Sequence, residues 1–282
     1  MALPNLSNSM SVGRLRYIQS VRESAERRNP DTLVRYFLPV MERWRSAWLG
    51  RPALAQLREL PFYYYLVART KYYDAVFTEA VAEGVRRIIN VGCGSDTRAH
   101  RFARELRRDG VGVLECDQPE AIHARQETVK RWGADYVEYL AVDLNADGWP
   151  EFEAWLREHA GAKVLVLMEG VSPYIDEDTF RRFLSVLSRE LPAGSHVAYD
   201  FKLRGADDSF GRAGRTQIPF RLPAATEEVA AFHEDLGFRL ERMELSSELS
   251  KRLLPGLAGS TSGVFKEDGL VRLQVRTATT ST

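Results

Sequence analysis

The chain is poor in the residues that build disulfide frameworks and metal centres. Two cysteines, Cys93 and Cys116, are too few for a disulfide scaffold, so reduced thiols are the expectation. The five histidines, at 100, 123, 159, 196 and 233, show none of the spacings of a metal-binding motif, and no metal site is expected. An excess of charge is also missing, with 39 basic residues against 39 acidic ones. That balance leaves no electrostatic footprint for nucleic acid or an anionic membrane. No apolar run approaches the roughly 20 residues of a membrane-spanning helix. The opening stretch MALPNLSNSMSVGRLRYIQS lacks the continuous apolar segment of a secretion signal. Internal repeats and low-complexity segments are lacking too. These absences leave a cytoplasmic protein with a small-molecule partner, a monomer or a homodimer, as the expectation.

What is there divides into two patterns. Up to about residue 80 the periodicity is helical. Val12, Leu15, Ile18 and Val21 fall on one face of a first helix. Asn29-Pro30-Asp31 is a helix-start signal, Pro39 predicts a break, and PFYYYLVARTKYYDAVFTEAVAEG reads as a further helix ending at Gly84. From Arg86 onward, strand and helix alternate. The strand candidates are RRIINV, VGVLECD, DYVEYLAVDL, KVLVLMEG, SHVAYDF, FRLERMEL and LVRLQVRT. KVLVLMEG is apolar throughout, as a strand buried on both faces must be. The alternation predicts an α/β fold: a mostly parallel seven-stranded sheet, helices on both faces, and an N-terminal helical cap over 1–80 on a Rossmann-like unit over 81–282. The terminal TATTST reads as a loose tail.

Gly92 and Gly94 follow the first strand in RRIINVGCGSDTRAHRF. The turn lacks the third glycine of a dinucleotide fingerprint and the lysine of a phosphate loop. Alone it also fits a plain strand-to-helix connection. The acids that follow add direction. Asp117 closes the second strand, about 20 residues on, where a carboxylate can take ribose hydroxyls. Asp143-Leu144 closes the third strand, placed to bracket an adenine, and Glu169 closes the fourth. Acids at this rim repel a pyrophosphate and suit a cationic, hydroxyl-rich ligand. S-adenosylmethionine has that chemistry.

The runs ARTKYYDAVFTEAVAEGVRRIINVGCGSDTRAHRF, ECDQPEAI, AVDL and LMEGVSPYI together resemble the leucine carboxyl methyltransferase family. The resemblance implies a class I S-adenosylmethionine-dependent methyltransferase, with relatives in bacterial natural-product pathways. It covers Ala68 to Phe201 well and the remainder in outline. By that resemblance Arg69 binds the methionyl carboxylate, a task its planar fork suits. Gly92 and Gly94 form the methionine-side turn. Asp117 takes the ribose, Asp143 and Leu144 flank the adenine, and Glu169 lies near the methionyl ammonium. Asp96-Thr97-Arg98 organises the turn. Cys93 departs from the small residue the pattern places between the glycines.

The reaction itself stays open at this point. Methyl transfer to a carboxylate needs no base, whereas a phenol or alcohol often uses one. Asp200, Ser172 and Tyr174 are the candidate catalytic groups, at the ends of the fourth and fifth strands. The tyrosines at 63, 64, 65, 72 and 73, with Tyr174, Tyr199 and Phe201, offer an aromatic box for a sulfonium, or for most of them the packing of the cap onto the sheet. Such a box also fits a second reaction: the cofactor's own α-amine displaces methylthioadenosine and closes azetidine-2-carboxylate, a cyclisation known in enzymes of this general fold.

Overall fold

All seven expected strand segments pair into one sheet in the computed structural model, which describes residues 9–206, 220–255 and 264–276. The strands are β1 (Arg87–Val91), β2 (Gly112–Asp117), β3 (Val137–Ala141), β4 (Val164–Met168), β5 (His196–Leu203), β6 (Arg221–Leu222), β7 (Phe238–Leu245) and β8 (Asp268–Val275). The order is β3-β2-β1-β4-β5-β8-β7, and the two-residue β6, which the periodicity does not reveal, pairs with the end of β5. Pairing is parallel from β3 to β5 and antiparallel where β8 inserts between β5 and β7. The order reverses between β1 and β4, which makes the mouth there the natural ligand site of an open α/β sheet. The connection over 207–219 and the tail from 277 lie outside the described residues.

The helices are α1 (Ser9–Arg22), α2 (Val40–Ala47), α3 (Arg51–Glu59), α4 (Pro61–Ala82), α5 (Arg98–Arg101), α6 (Ala103–Arg108), α7 (Pro119–Val129), α8 (Pro150–Glu158), α9 (Glu177–Glu190), α10 (Thr226–Glu234) and α11 (Ser246–Leu253). Pro39 separates a short 3-10 turn (Leu33–Phe37) from α2, as expected of a residue with no amide to donate. Pro61 starts α4 at a position where a missing amide costs nothing. This helix is buried nearly all round, and the expected boundary at residue 80 falls inside it. Side chains alternate across the sheet, so Ile88 faces the core under the cap and α4 while Ile89 faces the core under α8, α9 and α10. No helix among the described residues is long and apolar enough to cross a membrane.

His233 of α10 is buried in the second core. Its Nε2 lies 2.5 Å from the Tyr199 hydroxyl and its Nδ1 lies 2.6 Å from the Val229 carbonyl. The neutral ring satisfies both partners, donating to Val229 and accepting from Tyr199. Burial pulls its pKa down to about 4. An unfolded imidazole protonates near 6.5. Between those values the unfolded chain binds the extra proton, so stability falls as pH drops from about 6.5 to about 4. Melting curves across that interval are expected to show a shallower fall in His233→Gln than in the parent. An identical slope would remove His233 from the acid response.

Candidate active site

One cavity of about 420 Å³ opens at the carboxyl ends of β1, β2, β3 and β4. Its wall brings together Arg69, Gly92, Gly94, Asp117, Asp143, Leu144, Glu169 and Tyr174. The chain must turn sharply after β1, and Gly92 does so at φ +66°, Gly94 at φ +43°. At Gly92 a side chain is excluded twice over, because a Cβ there would lie 2.4 Å from Val171 Cγ2. Gly94 N donates to Asp117 Oδ2 at 2.7 Å, and Gln118 N donates to Asp117 Oδ1 at 2.8 Å. The carboxylate at the end of β2 is therefore held in place by backbone amides before any ligand arrives.

On the opposite wall, α4 carries Arg69 inward. Its Nε donates to Glu169 Oε1 at 3.1 Å and its Nη1 to Asp200 Oδ2 at 3.2 Å. Arg98 approaches Glu169 from the other side, with Nη1 2.8 Å from Oε2. Burial opposes ionisation of Glu169, but Arg98, Arg69 and Arg16 outweigh it and hold the carboxyl below its ordinary range. The motif residues Asp74 and Arg98 meet as well, Nε to Oδ1 at 2.9 Å, and Arg101 grips the same carboxylate at 2.6 and 2.7 Å. The R-T-x-Y-x-D run of α4 and the D-T-R run of the turn are thus two halves of one buried ion network.

Two of the proposed catalytic groups do not reach the cavity wall. Ser172 is fully buried, and its hydroxyl donates to the Asp200 carbonyl at 2.6 Å, pinning the turn after β4 onto β5. Asp200 lies within β5 rather than at its end. Its carboxylate is shared among Arg69, the Tyr73 hydroxyl at 3.1 Å and Gly170 N at 2.6 Å. Burial nevertheless raises its pKa. Of the aromatic residues that could form a box, most pack elsewhere and Tyr174 lines the cavity. Tyr63 bonds Glu23, Tyr65 stacks on Phe265, Tyr73 bonds Asp200 and Tyr199 bonds His233. These rings pack α4 against the end of α1 and against the sheet, and α10 against β5, and Phe62 and Tyr174 are the aromatic side chains among the lining residues.

The leucine carboxyl methyltransferase profile matches residues 10–188. The chain belongs to the leucine carboxyl methyltransferase family. A provisionally named S-adenosyl-L-methionine-dependent methyltransferase of Streptomyces coelicolor is 29% identical over 208 residues, spanning 72% of this chain and 71% of its own. Another from Mycolicibacterium paratuberculosis is 31% identical over 192 residues, 63% of this chain and 60% of its own. Among solved structures, magnesium protoporphyrin IX methyltransferase from Synechocystis with bound SAH superposes at a TM-score of 0.49, with 15% identity over 83% of this chain and 93% of that one.

This family member is an S-adenosylmethionine-dependent methyltransferase. Its cavity suits that ligand chemically: a glycine turn with no room for a side chain, a fixed carboxylate, and charges of both signs on opposing walls. No cluster of metal-binding side chains occurs among its described residues. Several residues at or behind the cavity escaped the sequence reading. Arg16 of α1 lines the cavity while 4% exposed, and its Nη2 donates to both Ser95 O and Ser95 Oγ at 2.7 Å. Asn90 of β1 lines it also. Arg125 and Glu115 lie buried behind the turn. Arg16 and Arg125 stand in charged helices that read as solvent-facing, and only tertiary contact reveals them.

Proposed function

We propose that this enzyme transfers the methyl group of S-adenosylmethionine to a carboxylate of a small biosynthetic metabolite. Bound in the cavity, S-adenosylmethionine supplies a methyl carbon on a sulfonium. A carboxylate oxygen that displaces the thioether yields a methyl ester and S-adenosylhomocysteine. The residues contribute by binding, orienting and excluding water. In this reading Asp117 accepts the ribose hydroxyls, Asp143 and Leu144 flank the adenine, Glu169 faces the methionyl ammonium and Arg69 the methionyl carboxylate.

The observation that carries the reading is the convergence of those residues on one cavity while Asp200 and Ser172, two of the three candidate catalytic groups, are engaged elsewhere. Asp200 answers to Arg69 and Tyr73, and burial pushes the Cys93 thiol well above its ordinary range. A carboxylate acceptor is already nucleophilic at neutral pH and asks for no such group. The alternative, cyclisation of the cofactor to azetidine-2-carboxylate, draws less support, because the cap tyrosines are not among the lining residues while Arg69 and Tyr174 are.

The test is incubation of the protein with S-adenosylmethionine and a panel of small carboxylic acids and phenols, followed by mass spectrometry. S-adenosylhomocysteine together with a base-labile methyl ester is expected. Methylthioadenosine with a four-carbon imino acid, formed from S-adenosylmethionine alone, would overturn the reading, and a base-stable ether would move it to a hydroxyl acceptor. Tyr174→Phe is expected to lower turnover about tenfold, with cofactor affinity changed by less than about twofold, as for a hydroxyl that acts on the reacting groups. Equal loss in both parameters, seen by steady-state kinetics and calorimetry, would make Tyr174 a wall residue.

A further inference from the structure

Arginines take three carbonyl oxygens of the glycine turn in a row. Arg125 of α7 donates from Nη1 to Gly94 O at 2.9 Å and from Nη2 to Asp96 O at 2.7 Å. Arg16 takes Ser95 O between them. Arg125 is 2% exposed, is not among the cavity-lining residues, and bonds both carboxylate oxygens of the fully buried Glu115 on β2. Its guanidinium also lies over the Phe37 ring, 5.2 Å from the centroid.

A buried Arg–Glu pair is a poor device for stability alone, because desolvation consumes most of the attraction. Here one edge of the fork is anchored by Glu115 and the remaining donors are spent on the turn. Across that turn, Gly94 N holds Asp117 Oδ2. The backbone of Gly94 therefore joins Arg125 to Asp117: its carbonyl is fixed from behind, and its amide fixes the carboxylate in front.

We infer that Arg125, anchored by Glu115, is a positioning residue for the nucleoside half of the cofactor. It sets the Gly94–Asp96 backbone so that Asp117 meets the ribose hydroxyls pre-oriented. This rests on the reading of Asp117 as the ribose acid. A lysine is a poor substitute, because a point charge does not reach a carboxylate and two carbonyls in one plane.

The experiment compares 5′-methylthioadenosine with its 2′-deoxy counterpart by calorimetry on the full chain. The wild-type protein is expected to prefer the ribonucleoside by about tenfold or more, the scale of a charge-assisted hydrogen bond. In Arg125→Gln that preference collapses toward unity, and in Arg125→Lys it is partly kept. A general structural defect would instead weaken both ligands alike and leave the ratio intact, which would overturn the inference. Should Arg125→Gln fail to fold, Glu115→Gln carries the same expectation, with Arg125 kept but unanchored. A wild-type protein that binds both ligands equally would refute the ribose assignment of Asp117 itself, and the inference with it.

Discussion

Asp117→Ala is expected to remove measurable S-adenosylhomocysteine binding while the protein melts within a few degrees of the parent. Asp117 is half-buried, and its folding partners are the amides of Gly94 and Gln118. Leaving those amides to water costs about 1 kcal/mol. Its proposed contribution to ligand is larger. Two ribose hydroxyls donating to one carboxylate are charge-assisted hydrogen bonds of about 1.5–3 kcal/mol each, so about a hundredfold or more in affinity is at stake. Calorimetry reads the affinity and a thermal melt reads the fold. Wild-type affinity in the variant would relocate the nucleoside.

Arg69→Ala is expected to lose both binding and stability. Arg69 is 7% exposed and neutralises Glu169 and Asp200 at once. Removing one partner of a buried ion pair strands the other charge, at a cost of about 3–5 kcal/mol. In a chain of this size that corresponds to a melting point lower by about 10 °C. A variant that keeps the charge separates the two effects. Arg69→Lys is expected to recover most of the melting temperature and little of the affinity, because an ammonium lacks the planar fork that grips a carboxylate. Undiminished binding in Arg69→Ala, measured on the folded fraction, would assign the methionyl carboxylate to another cation.

The contrast between this acid and the buried groups around it shows what a sequence exposes and what it hides. Asp117 was legible because strand periodicity ended at it and the rim of a parallel sheet is defined by such ends. The seven main strands were legible for the same reason: apolar runs such as VLVLM cannot be placed anywhere but between two covered faces. β6 was not, since two residues carry no period, and α11, SSELSKRL, has only Leu249 buried among its apolar residues and reads as a loop. Ser172 and Asp200 are expected at strand ends, which suggests a site. Asp200 instead lies inside β5, and the side-chain directions spend the pair on the backbone and on Arg69. Arg16 and Arg125 illustrate the opposite error. Charged residues in polar helices pass for solvent-facing, and it takes the glycine turn and β2 behind them to make them interior.

Helix α4 bears on how such enzymes can be recombined. Over 22 residues, about 33 Å at 1.5 Å per residue, it runs from Phe62 and Arg69 at the cavity to Glu79 and Glu83, which pair with Arg272 of β8. Its ion pairs are made with the sheet domain of its own chain, through Glu169, Asp200, Arg98, Arg101 and Arg272, whereas its hydrogen bonds at Tyr63 and Thr70 reach back to Gln19, Glu23 and Asn29. A crossover at residue 80 between two relatives would exchange one side of each of these pairs and leave the other behind. A crossover near Leu60, ahead of the helix, would exchange α1 to α3 and keep those ion pairs whole, and would divide neutral or singly charged contacts such as Tyr63–Glu23, Thr70–Asn29 and Ser95–Arg16. Of the two seams, the one at the start of α4 leaves fewer buried charges without a partner.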